Sequence, residues 1–171
     1  MDIIYFFDKY FISNFYVLWM AIFSFFGSSK SGKTTVIYDL IKRLHKDFKI
    51  MYIKDIPHDN ISLDTENKDT WKMENAGAYI TYGLTPSKSY KMINSHLNID
   101  DIIAENNADI IFIEGFKSYK KAIKFLVLGN EDFLKYEHNY IIKANNNEYN
   151  KKCIIYPDDF DKLLSIILNT V

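Results

Sequence analysis

The sequence predicts an α/β fold in which a mostly parallel sheet lies between helices on both faces, giving three α/β/α layers. Short apolar runs typical of buried strands alternate along the chain with segments of helical periodicity. The 171 residues suffice for one domain with a sizeable core, and neither a repeat nor a linker divides them. We therefore expect a single domain over residues 20–171, preceded by an N-terminal extension of residues 1–19.

The elements follow in order along the chain. The predicted strands are apolar runs bounded by polar or turn-forming residues, at 22–26, 50–54, 79–82, 90–93, 109–113, 124–128, 140–143 and 154–156. The predicted helices either carry apolar residues at three- and four-residue spacing or begin with capping residues, at 33–45, 69–76, 98–107 and 158–168. This alternation is what favours parallel over antiparallel strands.

The N-terminal extension is rich in aromatic residues, and no residue from Tyr10 to Phe26 is charged. A membrane-spanning or signal segment is disfavoured, because the second half of this stretch must form the first strand and no small-residue cleavage site precedes it. Met20 stands one residue before that strand. We interpret residues 1–19 as an upstream extension that need not be translated; the alternative is a peripheral membrane or partner-binding helix.

Composition narrows the function classes. The net charge of −1 provides no basic surface for nucleic acid or an anionic membrane, so we expect neither as a partner. Cys153 is the only cysteine, which excludes an internal disulfide and a multi-cysteine metal site. We expect a reducing, cytoplasmic environment.

The clearest functional signal is the segment Gly27–Thr35, which fits the phosphate-loop pattern G-x-x-x-x-G-K-[ST] and lies between a predicted strand and helix. In such a loop the backbone amides surround the β-phosphate and the helix N-terminus faces the anion. Lys33 would neutralise β- and γ-phosphate charge, and the Thr34 hydroxyl would bind Mg²⁺. We predict a nucleoside triphosphate site in a P-loop NTPase-like fold; an incidental Ser/Gly turn is the alternative.

Two acidic residues end predicted strands. Glu114 follows the most apolar strand after the first, and the neighbouring Gly115 would let the backbone turn close to a ligand. In a phosphate-loop fold this strand lies beside the first, so Glu114 would face Mg²⁺ held by Thr34; a solvated strand end is the alternative. Asp55 ends the second strand and could orient water or bind Mg²⁺, or could cap the following loop. His58 is a weaker candidate for a base or a metal ligand.

Two short segments leave alternatives open. Lys68 and Asp69 open the short helix, where they could meet an anion, although an N-cap explains Asp69 equally well. Lys117 follows Gly115 and Phe116, where it could bring a cation to the phosphates or belong to a plain turn.

Several of these segments occur together in one family. The loop Gly27–Thr35, the trio at 68–70, the segment 76–78 and the run Glu114-Gly115-Phe116-Lys117 resemble, in order and spacing, the MobB family of molybdopterin-guanine dinucleotide biosynthesis adaptor proteins. The resemblance covers about residues 21 to 128. Departures from the family pattern are Asp55 where a histidine is usual, Lys30 where glycine is preferred, and a longer loop between Lys54 and Lys68.

The resemblance implies GTP and Mg²⁺ as ligands, weak GTPase activity at most, and a homodimer. It also implies a partner, a MobA-like molybdopterin guanylyltransferase that attaches GMP to molybdopterin. The residues that it assigns to phosphate and Mg²⁺ are Gly27, Gly32, Lys33, Thr34 and Thr35; Ser28, Ser29, Lys30 and Ser31 between them complete the predicted phosphate-binding loop. Glu114 becomes the acid of the second nucleotide motif. Together with Asp55, which is a candidate only from its place at the end of the second strand, Lys33 and Glu114 are the candidate catalytic residues. Lys68, Asp69 and Lys117 become ligand-side candidates.

Two rival functions share the loop. A small-molecule or nucleotide kinase usually carries several arginines that clamp phosphates, whereas Arg43 is the only arginine of this chain. A non-catalytic adaptor would use GTP only to order the loop between Asp55 and Lys68 for a partner.

Overall fold

The computed structural model describes residues 20–58, 64–144 and 153–171, so the predicted extension of residues 1–19 lies outside the described part. The chain divides into two compact units. One contains the residues up to Asp55 and from Asn107 onward, and the other is formed by Ile56–Asn106. The single domain expected over residues 20–171 stays a prediction.

The described residues form eight strands and four α-helices. The strands are β1 Ala21–Phe26, β2 Ile50–Lys54, β3 Ile80–Leu84, β4 Ser89–Ile93, β5 Ile110–Glu114, β6 Ile123–Val127, β7 Tyr140–Ala144 and β8 Ile154–Tyr156. The helices are α1 Lys33–Leu44, α2 Asp69–Asn75, α3 Ile99–Ala104 and α4 Phe160–Leu168. None of the helices in these ranges is long and apolar enough to cross a membrane.

The first unit is built on a six-stranded sheet with the order β2-β5-β1-β6-β7-β8, and every pair in it is parallel. The predicted mostly parallel sheet with helices is thereby confirmed. β1 lies between β5 and β6, as expected for the strand that leads into Gly27. Because all six strands run the same way, their carboxyl ends meet at one edge, and the residues that follow β1, β2 and β5 are brought together there.

The core explains why the central strands hold their place. All five residues of β5 are buried, as are Phe23 and Phe25 on β1. The rings of Phe25 and Phe125 stack with centroids 4.8 Å apart, and Phe112 packs edge-on against Phe25. A strand that is buried on both faces needs such a continuous apolar run, so the sequence pattern of β5 suits its central position.

Helix α1 covers this core with one apolar face. Val36, Ile37, Leu40 and Leu44 recur at helical spacing and are buried, whereas Tyr38 is 62% exposed. Basic residues occupy its last turn, where they complement the helix dipole. The helix therefore fixes the loop before it against the central strands.

The second unit contains α2, the antiparallel hairpin β3–β4 and α3. Helix α2 packs on β3, and Gly77 follows its end with a positive φ of 100°, as predicted for a helix stop. The side chain of Asn98 caps α3 by accepting a hydrogen bond from the Asp100 amide. The strands predicted at 79–82 and 90–93 exist, but they pair with each other rather than with the main sheet.

Two predictions on local structure need correction. A 3₁₀-helix at Glu131–Lys135 was not expected, because five residues are too short to show a periodic pattern. The last helix begins at Phe160 rather than at residue 158. The Asp159 carboxylate accepts a hydrogen bond from the Ile155 amide, so it does not cap that helix with its side chain.

Candidate functional site

The loop between β1 and α1 requires unusual backbone angles. Gly27 has a φ of 151°, and a Cβ there would lie 2.2 Å from the Val127 carbonyl oxygen, so no other residue fits. Gly32 precedes the helix with a φ of 96°, and Lys30 adopts a left-handed φ of 60°. A residue with a Cβ is uncommon in this left-handed region, which agrees with the preference of the family pattern for glycine at the position of Lys30.

The side chain of Lys33 lies over this loop. Its ammonium donates hydrogen bonds to the Ser28 carbonyl oxygen at 2.7 Å and to the Gly27 carbonyl oxygen at 3.2 Å. Burial lowers the pKa of Lys33, and although the Glu114 carboxylate opposes this effect, the Lys54 ammonium adds to it. A half-buried cation is thus fixed at the mouth of the loop.

The amides at the start of α1 are suited to bind an anion. Those of Gly32, Lys33, Thr34 and Thr35 have no hydrogen-bond acceptor among residues 20–58, 64–144 and 153–171, and the first backbone bond of the helix is donated by Val36 to Gly32. Unpaired amides, the positive helix end and a nearby ammonium together fit a phosphate group.

Glu114 is the carboxylate of the site and is only 7% exposed. The Thr34 hydroxyl lies 2.9 Å from both of its oxygens, the Tyr52 hydroxyl donates to Oε2 at 2.7 Å, and the Lys54 ammonium lies 3.5 Å from Oε1. Burial alone would raise the pKa of Glu114, but the hydrogen bonds from Tyr52 and Thr34 and the charge of Lys54 outweigh it and lower the pKa. The carboxylate is therefore held ionised beside the loop.

The oxygen donors suit Mg²⁺. A hydroxyl and a carboxylate, from Thr34 and Glu114, are ligands that Mg²⁺ accepts, and this cation usually takes its remaining ligands from water and phosphate oxygens. The described part of the chain contains no group of three His, Cys, Asp or Glu side chains that could hold a metal alone. Thr34 and Glu114 therefore fit Mg²⁺ as a partial set of ligands, with the remaining positions left to water or phosphate oxygens.

Asp55 and Lys117 lie near the turn that follows β5. The Asp55 amide donates to the Glu114 carbonyl oxygen at 2.9 Å, and a Cβ on Gly115 would lie 2.5 Å from the Asp55 Cβ, which explains the glycine. The Asp55 carboxylate therefore faces the turn. The Lys117 ammonium donates to the Tyr136 hydroxyl at 3.0 Å and lies 4.3 Å from the centre of that ring.

Comparison with known proteins shows to which family the chain belongs. The model of the family described as molybdopterin guanine dinucleotide synthesis protein B, MobB, matches residues 22–141. The chain belongs to the MobB family. The match extends from β1 into β7 and contains both the loop and Glu114, so the resemblance seen in the sequence is confirmed.

Two curated relatives of the MobB family carry names that describe molybdopterin-guanine dinucleotide biosynthesis adapter proteins. The protein from Methanocaldococcus jannaschii is 35% identical over 118 residues, which are 66% of this chain and 49% of the relative. The protein from Haemophilus influenzae is 29% identical over 115 residues, 64% of this chain and 63% of the relative. The matched region thus spans about half of the first relative's length and less than two thirds of the second's.

Solved MobB structures have the same fold. The Bacillus subtilis protein aligns with a TM-score of 0.72 and 22% identity, over 88% of this chain and 98% of that one. The homologue from Bacillus stearothermophilus aligns with a TM-score of 0.63 and 16% identity, over 86% and 95% of the two chains. At these identities the likeness concerns the fold alone.

The remaining residues discussed in the sequence analysis lie in the second unit or at exposed positions. Lys68 is the residue before α2, and the Asp69 carboxylate pairs with the Lys72 ammonium at 3.6 Å within that helix. His58 is exposed. Arg43 lines a groove of about 470 Å³ with Asp39, Lys42, Tyr156, Pro157 and Phe160. It lies about 15 Å along α1 from Lys33, since a helix rises about 1.5 Å per residue.

Sequence reasoning missed two residues of the site. Tyr52 and Lys54 are not among the predicted site residues, yet both contact the Glu114 carboxylate. The available signal was their two-residue spacing, which places them on one face of β2. That face could be assigned to Glu114 only with the knowledge that β2 pairs with β5.

Proposed function

We propose that this chain binds GTP with Mg²⁺ at the loop Gly27–Thr35 and acts as an accessory protein in molybdopterin-guanine dinucleotide biosynthesis. The observation that carries the proposal is the contact between the Thr34 hydroxyl and the Glu114 carboxylate, 2.9 Å from both oxygens, at the helix end that follows the loop on which the Lys33 ammonium lies. Two oxygen donors and a cation at the end of an amide-lined loop suit a magnesium-bound polyphosphate.

Each residue of the loop has a role in this proposal. Lys33 leaves the carbonyl oxygens of Gly27 and Ser28 to neutralise the β- and γ-phosphates, and the unpaired amides of the first helical turn surround the same charge. Thr34 and Glu114 hold the cation, with Asp55 as a further candidate. When bound, Mg²⁺ would neutralise charge on the phosphate oxygens.

The same residues lead us to propose slow hydrolysis. Fast phosphoryl transfer usually needs an arginine at the transferred group, and Arg43 lies far along α1. The lysines of the described site, Lys30, Lys33 and Lys54, lack the planar fork of a guanidinium. We propose a weak GTPase at most.

The preference for guanine and the partners come from the family. The names of the relatives describe an adapter protein. We therefore propose that the chain assists a MobA-like molybdopterin guanylyltransferase in the cytoplasm and acts as a homodimer, with GTP as the bound nucleotide. The candidates Lys68, Asp69 and Lys117 would contribute on the ligand side.

Calorimetric titration of the full chain with GTP, ATP and CTP in the presence of Mg²⁺ tests the proposal. We expect GTP to bind most tightly and its affinity to fall when EDTA removes the cation. Equal affinity for the three nucleotides would contradict the guanine preference while leaving triphosphate binding intact. Absence of binding by all three would contradict the site itself.

A further inference from the structure

We infer that Tyr52 is a positioning residue that orients the Glu114 carboxylate toward the cation. The inference rests on the proposed function, because it concerns the cation that GTP brings to Thr34 and Glu114. It extends that function to a residue outside the phosphate-loop pattern and outside the Glu114-Gly115-Phe116-Lys117 run.

The geometry follows from the pairing of β2 with β5. In this parallel pair Lys54 is in register with Glu114, and Tyr52 is in register with Phe112. Residues two apart on a strand share a face, so the Tyr52 phenol extends diagonally along the sheet toward the Glu114 side chain. Its hydroxyl reaches Oε2 at 2.7 Å, although the residue lies on an edge strand and is 42% exposed.

The contacts of Glu114 divide its two oxygens between different donors. Tyr52 donates only to Oε2, Lys54 approaches only Oε1, and Thr34 lies between them at 2.9 Å from both. The last torsion of a glutamate side chain is broad. A fixed donor on one oxygen therefore restricts the rotation of the carboxylate and keeps the side that faces Thr34 turned toward the loop.

The chemical character of the donor matters as well. Lys54 carries a positive charge, so its contact with Oε1 competes with a cation for the same carboxylate. The Tyr52 hydroxyl is neutral, and it can hold Oε2 without repelling Mg²⁺. Donors that orient a metal ligand without binding the metal commonly strengthen metal affinity.

The test compares Tyr52→Phe with the wild-type chain. The substitution keeps the ring and removes only the hydroxyl, and far-ultraviolet circular dichroism verifies that the variant folds. We expect the Mg²⁺ concentration that gives half of the full enhancement of GTP affinity to rise about three- to tenfold, the size of one lost hydrogen bond. GTP affinity in EDTA should stay within about twofold of the wild type, because the amides and Lys33 are unchanged.

Tyr156→Phe is the matched control, because Tyr156 also donates a hydroxyl to a carboxylate, that of Asp39. Its ring lines a cavity with Ser31, Gly32 and Thr35, and phenylalanine keeps that ring in place. We expect it to leave the Mg²⁺ midpoint unchanged. A folded Tyr52→Phe variant with the wild-type midpoint, or an equal shift in both variants, would overturn the inference.

A second measurement separates this inference from the proposed function. In the nucleotide-free chain, NMR relaxation of the ¹³C-labelled Glu114 carboxyl carbon, whose shielding tensor reorients when the carboxylate rotates, should show a lower order parameter in Tyr52→Phe than in the wild type and in Tyr156→Phe. If the wild-type chain binds no GTP at all, the proposed function fails, and this measurement alone decides whether Tyr52 positions Glu114. An unchanged order parameter would overturn the inference in either case.

Discussion

Two tyrosine–carboxylate hydrogen bonds connect segments that are distant in the sequence. Tyr52 donates to Glu114, 62 residues away, and Tyr156 donates to Asp39, 117 residues away. Burial, followed by the hydrogen bond, raises the pKa of both phenols, that of Tyr156 to about 12. The two bonds are therefore alike in chemistry, and each keeps a neutral donor on a carboxylate at neutral pH.

Their surroundings differ. Glu114 is buried at the carboxyl end of β5, beside Thr34 and the Lys33 ammonium. Asp39 lies on α1 at an open groove that also contains Lys42 and Arg43. The Tyr156–Asp39 bond joins β8 to α1, whereas the Tyr52–Glu114 bond joins β2 to β5, where we propose that it orients the acid toward the phosphate loop. What distinguishes the candidate site is that the Glu114 carboxylate contacts the Thr34 hydroxyl in the first turn of the helix that follows the phosphate loop.

Substitution of Lys33 by alanine should produce the largest loss of GTP affinity. The Lys33 ammonium lies over the phosphate loop and is proposed to neutralise the β- and γ-phosphates, so we expect GTP affinity to fall by more than about 100-fold. Isothermal titration with GTP and Mg²⁺ measures this loss. Lys42→Ala, which removes a lysine from the groove near Asp39, is the matched control and should bind like the wild type. Affinity retained within about threefold in Lys33→Ala would refute the site.

Glu114→Gln should separate cation binding from nucleotide binding. The amide is nearly isosteric but uncharged. We therefore expect the Mg²⁺ concentration that gives half of the full enhancement of GTP affinity to rise about 10- to 100-fold. GTP affinity in EDTA should stay unchanged. Any GTPase rate should fall. Glu137→Gln, at an exposed residue that pairs with Lys124, is the control. A Glu114→Gln variant with normal Mg²⁺ dependence would remove this carboxylate from the cation site.

Part of the candidate site could be predicted from the sequence. The loop Gly27–Thr35, α1 and the strand ending at Glu114 are local patterns, and each is found where it was predicted. Their convergence could be predicted too, because the strand before a phosphate loop and the strand ending in its acid are neighbours in this fold.

Tyr52 could not be assigned in the same way. Its contact depends on β2 being paired with β5 in one particular register, and neither periodicity nor composition specifies that pairing. Lys117 shows the same limit, because its partner Tyr136 follows a 3₁₀-helix that the sequence did not predict. Local sequence patterns do not predict contacts between side chains on elements that are distant in the sequence.

Acid should remove the contribution of the ionised Glu114 carboxylate to the free energy of unfolding. Its pKa in the folded chain lies below the ordinary 4.5, so the ionised carboxylate contributes stability above pH 4.5, and this contribution is lost as the pH falls through the lowered pKa. We expect the difference in free energy of unfolding between the wild type and Glu114→Gln to shrink below about pH 4.5. Urea denaturation between pH 3 and 7 measures it. A difference that is constant over this range would contradict the lowered pKa.

Tyr156→Phe should give the smallest effect, limited to stability. Loss of its hydrogen bond to Asp39 should lower the free energy of unfolding at pH 7 by about 1 kcal/mol, measured by urea denaturation, with GTP affinity unchanged. Because folding raises the pKa of Tyr156 from 10 to about 12, the hydroxyl contributes fully below pH 10 and progressively less as the pH rises toward 12. The difference between the wild type and the variant should therefore narrow over that range. A loss of GTP affinity in Tyr156→Phe comparable to that of Lys33→Ala would contradict this prediction, because it would show that the Tyr156–Asp39 hydrogen bond is coupled to GTP binding.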